Sequence, residues 1–150
     1  MGMKKVFKKD KISEIAKELI KQACDIQSDS ATIIALSGDL GAGKTTLAQE
    51  VARILGIKEN VISPTFVIMK RYGISDPLSH YNDLVHIDAY RLKSSNELLH
   101  LGWSEISANP KNIILVEWPE LVPECIPENG VYRVNLSHID EETRGIEIML

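Results

Sequence analysis

The spacing of apolar residues changes along the chain and predicts helices and strands in alternation. At residues 12–23 and 47–55 the apolar positions recur every three or four residues, which is typical of helices with one buried face. Residues 31–36 and 113–116 are apolar almost throughout, which is typical of strands buried on both faces of a parallel sheet. Strands that alternate with helices in this way indicate an α/β fold.

Weaker patterns extend this architecture through the rest of the chain. A β-prone stretch covers residues 65–72, a strand ending in an acid covers 84–88, and a short helix at 94–99 ends near Gly102. Near the end of the chain, alternating apolar residues predict two antiparallel strands around a polar loop at 140–143. The predicted central sheet is therefore mostly parallel, with antiparallel C-terminal strands.

Size and charge narrow the function classes that this architecture could serve. The 150 residues predict one domain over residues 1–150. The net charge is −4, so the chain lacks the broad basic surface that direct nucleic-acid binding requires. Cys24 and Cys125 lie far apart, which argues against a disulfide scaffold or a zinc ribbon and suits a reducing compartment. No apolar run approaches membrane-spanning length, so we expect a cytoplasmic protein that does not bind membranes.

A phosphate-binding motif lies between the first predicted strand and the helix that follows it. The segment matches G-x-x-x-x-G-K-[ST] at every specified position and reads Gly38-Asp39-Leu40-Gly41-Ala42-Gly43-Lys44-Thr45. Its glycines let backbone N–H groups converge on a phosphate, at the positive end of the helix dipole. Lys44 supplies a cation for the β- and γ-phosphates, and Thr45 supplies a hydroxyl for Mg²⁺.

This motif sharpens both the fold and the ligand prediction. It predicts a P-loop NTPase-like three-layer fold that binds a nucleoside triphosphate and Mg²⁺. The expected phosphate contacts are Gly41, Ala42, Gly43, Lys44, Thr45 and Thr46.

Two acids, Asp88 and Glu117, follow predicted buried strands. Ligands of open α/β sheets collect at the carboxyl ends of the strands, so both acids are expected near the phosphates. One carboxylate would hold Mg²⁺ with Thr45 and the other would orient the attacking water, although each acid could instead cap the next turn. Lys44, Asp88 and Glu117 are the predicted catalytic residues. We interpret His86 as structural or solvent-facing rather than as a metal ligand.

For two further residues, the sequence pattern alone leaves the role open. Thr65, in Ser63-Pro64-Thr65, could sense the γ-phosphate through Mg²⁺, but such a segment is also a common connector between a helix and a strand, which spacing favours. Trp118 could contact nucleotide or a partner, or could equally be a core aromatic at a sheet edge.

Several P-loop classes are disfavoured. No aspartate has glycine three positions on, and Asn109-Pro110-Lys111-Asn112 matches the guanine-reading N-K-x-D poorly, which argues against a GTPase. The five arginines are scattered and no insertion could form a lid, which argues against a small-molecule kinase. A minimal ATPase, slow without partners, is the remaining interpretation.

Four motifs taken together resemble the TsaE (YjeE) family over essentially the whole chain. They are the phosphate loop followed by Thr46, Ser63-Pro64-Thr65-Phe66, His86-Ile87-Asp88-Ala89-Tyr90-Arg91-Leu92, and Glu117-Trp118-Pro119-Glu120. The phosphate loop is shared by many families, whereas the combination is specific. The sequence departs from the family at Ala89, where leucine is usual.

The resemblance implies an ATPase required for the threonylcarbamoyl modification of tRNA adenosine 37. It implies TsaD and TsaB proteins as partners, tRNA contact only through that complex, and ATP/ADP and Mg²⁺ as ligands. Asp88 and Glu117 would serve the metal and the hydrolytic water, Thr65 would lie in a switch-like segment, and Trp118 would lie near the nucleotide. Arg144 and Asp10 are expected as further walls of the nucleotide site.

Two alternatives remain beside this function. The first is a small-molecule or protein kinase, which would yield a phosphorylated acceptor instead of free phosphate. The second is a nucleotide-gated adaptor in which hydrolysis is incidental.

Overall fold

A computed structural model of the protein describes residues 2–25, 28–62, 64 and 66–149. Its strands are β1 Gly2–Lys8, β2 Thr32–Ser37, β3 Met69–Gly73, β4 Asp83–Asp88, β5 Asn112–Glu117, β6 Val131–His138 and β7 Thr143–Met149. Its α-helices are α1 Ile12–Cys24, α2 Lys44–Ile54, α3 Ser95–His100 and α4 Trp103–Ala108. Short 3-10 helices cover Lys9–Lys11, Ala89–Arg91, Pro119–Leu121 and Pro123–Cys125.

All seven strands join one sheet in the order β1-β7-β6-β2-β5-β4-β3. The central strands β6, β2, β5 and β4 are parallel to their neighbours within this group. At the two edges, β7 is antiparallel to β6, β1 to β7, and β3 to β4. The predicted mostly parallel sheet and the antiparallel pairing of the last two strands are confirmed.

The sheet separates two hydrophobic cores, which gives the fold three layers. Along β2, Ile34 and Leu36 belong to the core that includes α1 and α2, whereas Ile33 and Ala35 belong to the core that includes α3 and α4. Successive side chains of a strand point to opposite faces, so a strand covered on both faces is apolar throughout. This double coverage explains the continuous apolar runs in β2 and β5.

The parallel register brings the predicted site residues together at the carboxyl ends of the central strands. Leu36 at the end of β2 pairs with Glu117 at the end of β5, and Glu117 pairs with Asp88 at the end of β4. The phosphate loop leaves β2 at this same edge and enters α2. Three carboxyl ends therefore converge where nucleotides bind in open α/β sheets.

Two strands differ from the sequence prediction: β1 was not predicted, and β3 begins later than expected. β1 was not predicted because it is an edge strand with only Phe7 buried, so burial imposes no pattern on it. The β-prone prediction for 65–72 is wrong for Phe66, Val67 and Ile68, which lie in a turn before β3 where Phe66 and Val67 are exposed. The amides of Val67 and Ile68 donate to the Pro64 carbonyl, and these bonds turn the chain.

The short helical segments differ from the prediction in number. α3 ends before Gly102 as expected, but the second short helix, α4, follows directly and was missed. Gly102 has a φ of +92° and separates the two helices. Among the helices of the described residues, none combines the length and the apolar character that crossing a membrane requires.

Candidate functional site

The phosphate loop depends on glycine at two positions for different reasons. Gly38 has a φ of +146°, and a Cβ there would overlap the carbonyl oxygen of Leu136 on β6. Gly43 has a φ of +105° directly before α2, where an L side chain would be strained although space is free. These glycines therefore allow the segment to form a tight loop that leads directly into the N-terminus of α2.

Lys44 lies folded back on the loop and is only 6% exposed. Its Nζ donates to the carbonyl oxygens of Gly38 and Asp39, the latter at 3.1 Å. The same Nζ lies 4.4 Å from the centroid of the Trp118 ring, within cation–π range. These neutral contacts hold the ammonium beside the loop, from where it can transfer to phosphate oxygens that bind it more strongly.

Asp88 and Glu117 are buried side by side at the ends of β4 and β5, at 4% and 3% exposure. Asp88 Oδ1 accepts a hydrogen bond of 3.0 Å from the Tyr90 amide. Glu117 Oε2 lies 2.6 Å from Nε2 of His86. Two adjacent buried carboxylates are costly unless a cation compensates them, so the pair suits a metal ion.

A cleft of about 460 Å³ joins these groups. Most predicted site residues line it, namely Gly41, Ala42, Gly43, Lys44, Thr45, Thr46, Asp88, Glu117, Trp118 and Arg144. Asp10 is not among its lining residues; Lys9 and Ile12 of the same segment are. Thr65, the predicted switch residue, lies outside the described residues.

The oxygen donors of this cleft fit Mg²⁺. The Thr45 hydroxyl and the Asp88 and Glu117 carboxylates are hard oxygen ligands, the type that Mg²⁺ prefers. Within the described part of the chain, no group of three or more His, Cys, Asp or Glu side chains could hold a metal by itself. Mg²⁺ usually completes its coordination with waters and substrate phosphates in addition to one or two carboxylates.

Of the two interpretations of His86, structural or solvent-facing, the solvent-facing one is wrong. His86 is fully buried in the middle of β4 and contacts Glu117. Alternation along β4 places it on the same face as Asp88, two residues away. Because Glu117 pairs with Asp88, the spacing His86-x-Asp88 was the signal that could have brought this histidine into the site.

Aromatic and basic residues complete the walls. Trp118 has a left-handed backbone, with a φ of +58°, and its ring lies 5.2 Å from that of Tyr90. Arg144, in β7, donates from Nη1 to the carbonyl oxygens of Asp140 and Thr143. Sequence reasoning missed Lys9, Ile12, Leu40 and Tyr90 as lining residues. Tyr90 belongs to the motif at residues 86–92, which could have identified it. Lys9 directly follows β1, a strand that no apolar pattern indicated.

Comparison with known proteins gives consistent matches over most of the chain. A family model described as "Threonylcarbamoyl adenosine biosynthesis protein TsaE" matches residues 6–146. The tRNA threonylcarbamoyladenosine biosynthesis protein TsaE of Rickettsia felis is 39% identical over 118 residues, which are 78% of this chain and 64% of that protein. The protein of the same name from Haemophilus influenzae is 34% identical over 124 residues, which are 83% of this chain and 73% of that protein.

A solved structure gives the same result for the fold. The crystal structure of YdiB from Bacillus subtilis superposes with a TM-score of 0.70 at 28% identity. The superposition covers 99% of this chain and 84% of that one. With the phosphate loop between β2 and α2, this similarity confirms the predicted P-loop NTPase-like fold.

Proposed function

Because the chain belongs to the TsaE family, we propose that it is a Mg²⁺-dependent ATPase acting in the threonylcarbamoyl modification of tRNA adenosine 37. The observation that carries this proposal is the floor of the cleft. There a phosphate loop, a buried lysine and two buried carboxylates meet at the carboxyl ends of the parallel central strands.

The phosphate loop would bind the triphosphate of ATP. The backbone amides of residues 41–46 and the N-terminus of α2 supply partial positive charge, and Lys44 supplies a full one. Arg144, which also lines the cleft, would add a second cation to the nucleotide site. The product, ADP, would keep most of these contacts, so release of phosphate or ADP is where a partner could act.

Thr45 and the carboxylates of Asp88 and Glu117 would hold the metal and the attacking water. When bound, Mg²⁺ neutralises charge on the β- and γ-phosphates. One carboxylate would ligate the metal or accept a hydrogen bond from its waters, and the other would accept a hydrogen bond or a proton from the nucleophilic water. Burial of both side chains fixes their positions and excludes competing bulk solvent.

The surface supports an accessory role with TsaD and TsaB proteins. A net charge of −4 disfavours direct tRNA binding, so tRNA would be held by the partners. Leu40 and Tyr90, which line the cleft, and Phe66, in the turn before β3, are exposed apolar side chains, as expected of a surface that a partner covers. Hydrolysis would then be coupled to the partner complex.

Phosphate release tests the proposal. With TsaD, TsaB and tRNA present, the Lys44→Ala variant should release phosphate at least about 100-fold more slowly than the unchanged protein. The exposed Lys58→Ala variant is the matched control and should retain the full rate. Unchanged hydrolysis by a folded Lys44→Ala variant would contradict the mechanism.

Product analysis distinguishes the other two functions. Transfer of labelled γ-phosphate to an acceptor, without free phosphate, would identify a kinase. A Glu117→Ala variant that stops turnover while tRNA modification continues catalytically would identify a nucleotide-gated adaptor.

A further inference from the structure

His86 is a polar residue in a strand interior that is otherwise apolar. Its neighbours in β4 are Leu84, Val85 and Ile87, and all four side chains are fully buried. Nε2 of His86 lies 2.6 Å from Oε2 of Glu117. Nδ1 is buried and has no hydrogen-bond partner among the described residues.

Packing alone does not account for this histidine. A buried imidazole with one unsatisfied nitrogen destabilises the fold relative to an aliphatic side chain of similar size. Leucine or valine occupies the neighbouring buried positions without that penalty. The feature that only the polar side chain provides is the hydrogen bond from Nε2 to Glu117.

We propose that His86 is a positioning residue for Glu117, a role that rests on the proposed function of the cleft. A carboxylate can only accept, so Nε2 of His86 is the donor in this hydrogen bond. This bond engages Oε2 of Glu117 and leaves Oε1 for the ligands of the cleft. His86 thus acts on the reaction only through the orientation of Glu117.

The neighbouring carboxylate shows why Glu117 needs such a donor. Asp88 receives its hydrogen bond from the Tyr90 amide, within its own turn. Glu117 has one more rotatable bond than Asp88 and is followed by Trp118 in a left-handed conformation. The donor to Glu117 is His86 on the adjacent strand, which pairs with Leu115 and therefore lies diagonal to Glu117 on the same face of the sheet.

Three substitutions separate this role from a structural one. His86→Gln keeps an amide N–H near the position of Nε2, His86→Asn is too short to reach Glu117, and His86→Leu removes the donor and the unsatisfied nitrogen. We expect His86→Asn and His86→Leu to lower kcat about 10- to 100-fold with little change in KM for ATP. His86→Gln should recover most of the rate, and the exposed His100→Gln should match the unchanged protein.

A second readout needs no turnover. In long-range ¹H–¹⁵N spectra of the protein without ligand, the resonance lost in His86→Gln should show the Nε2–H tautomer. An Nδ1–H tautomer would overturn the proposal, as would equal rates for His86→Gln and His86→Asn or full activity of a folded His86→Leu. If the unchanged protein hydrolyses no ATP, the proposed function fails, and the tautomer still decides the His86–Glu117 contact.

Discussion

The floor and the rim of the cleft have opposite chemistry. The floor consists of the buried polar residues Lys44, Asp88 and Glu117, none more than 6% exposed. We use the name rim for Leu40 and Tyr90, which line the cleft and are 73% and 50% exposed, together with Phe66, which is 82% exposed in the turn before β3. The hydrogen bond from the Asp88 amide to the Ile68 carbonyl, 2.8 Å long, joins the segment that carries Phe66 to the floor.

This arrangement reverses the usual distribution, in which polar residues face water and large apolar residues lie inside. Neither arrangement is explained by folding, because burying charge and exposing apolar surface are both unfavourable. The floor is explained by the small charged ligand that we propose, and the rim by a larger partner. Four predictions test this division, in order of decreasing effect.

The largest effect is expected on the floor. Glu117→Gln keeps the size of the side chain but removes its charge, and with it a metal ligand or the group that orients water. ATP hydrolysis should fall by about 100-fold or more, measured as phosphate release at saturating ATP. Glu105→Gln, at an exposed position of α4, is the control and should not change the rate.

The next effect separates two glycines of the phosphate loop. Gly38→Ala drives a Cβ into the Leu136 carbonyl at a φ of +146°, and should lower the free energy of unfolding by about 2 kcal/mol or more. Gly41→Ala has open space at a φ of +82° and should cost about 1 kcal/mol. Urea unfolding without nucleotide measures both, and equal losses would show that the contact with β6 does not determine the loop.

A smaller effect is expected at the rim. Phe66→Ser removes an exposed ring that lies 4.6 Å from the Arg91 guanidinium, so the free energy of unfolding should change by no more than about 0.5 kcal/mol. The ATPase rate of the isolated chain should be unchanged, whereas stimulation by TsaD and TsaB should decrease severalfold. If Phe66→Ser lowered the ATPase rate of the isolated chain as much as Glu117→Gln does, Phe66 would belong to the floor and the difference between floor and rim would not hold.

The smallest effect is spectroscopic and reports on Lys44. Nucleotide binding should withdraw its Nζ from the Trp118 ring, where it lies 4.4 Å from the centroid, and so change tryptophan emission. The second tryptophan, Trp103, is buried in the core against which Trp118 packs, but it does not line the cleft and should contribute a constant background. Trp118→Phe should abolish the change; a change that persists would assign it to Trp103.

The floor was predictable from sequence because each of its residues sits in a pattern with a physical requirement. Lys44 follows the glycines of a phosphate-loop motif, and Asp88 and Glu117 end strands that are buried on both faces and therefore largely apolar. The four-motif resemblance to the TsaE family is confirmed by the family match. Arg144, expected from that resemblance, does line the cleft.

The rest was not predictable because local pattern does not encode it. β1 is held by backbone pairing to β7, and an edge strand with exposed side chains carries no apolar signature. Phe66 and Val67 have strand-forming side chains, but bonds to the Pro64 carbonyl turn them outward. The contact between His86 and Glu117 was not predicted because the partner is contributed by another strand, and this proximity becomes visible only once the register is known.

The central claim is that this chain supplies an ATP-driven step to a larger complex. Phosphate release measured for the chain alone, with TsaD and TsaB, and with tRNA added tests that claim most directly. We predict slow release by the chain alone, a clear rise with the partners, and loss of that rise in Glu117→Gln. A rate that is the same in all three mixtures, or a rise that survives in Glu117→Gln, would contradict the account.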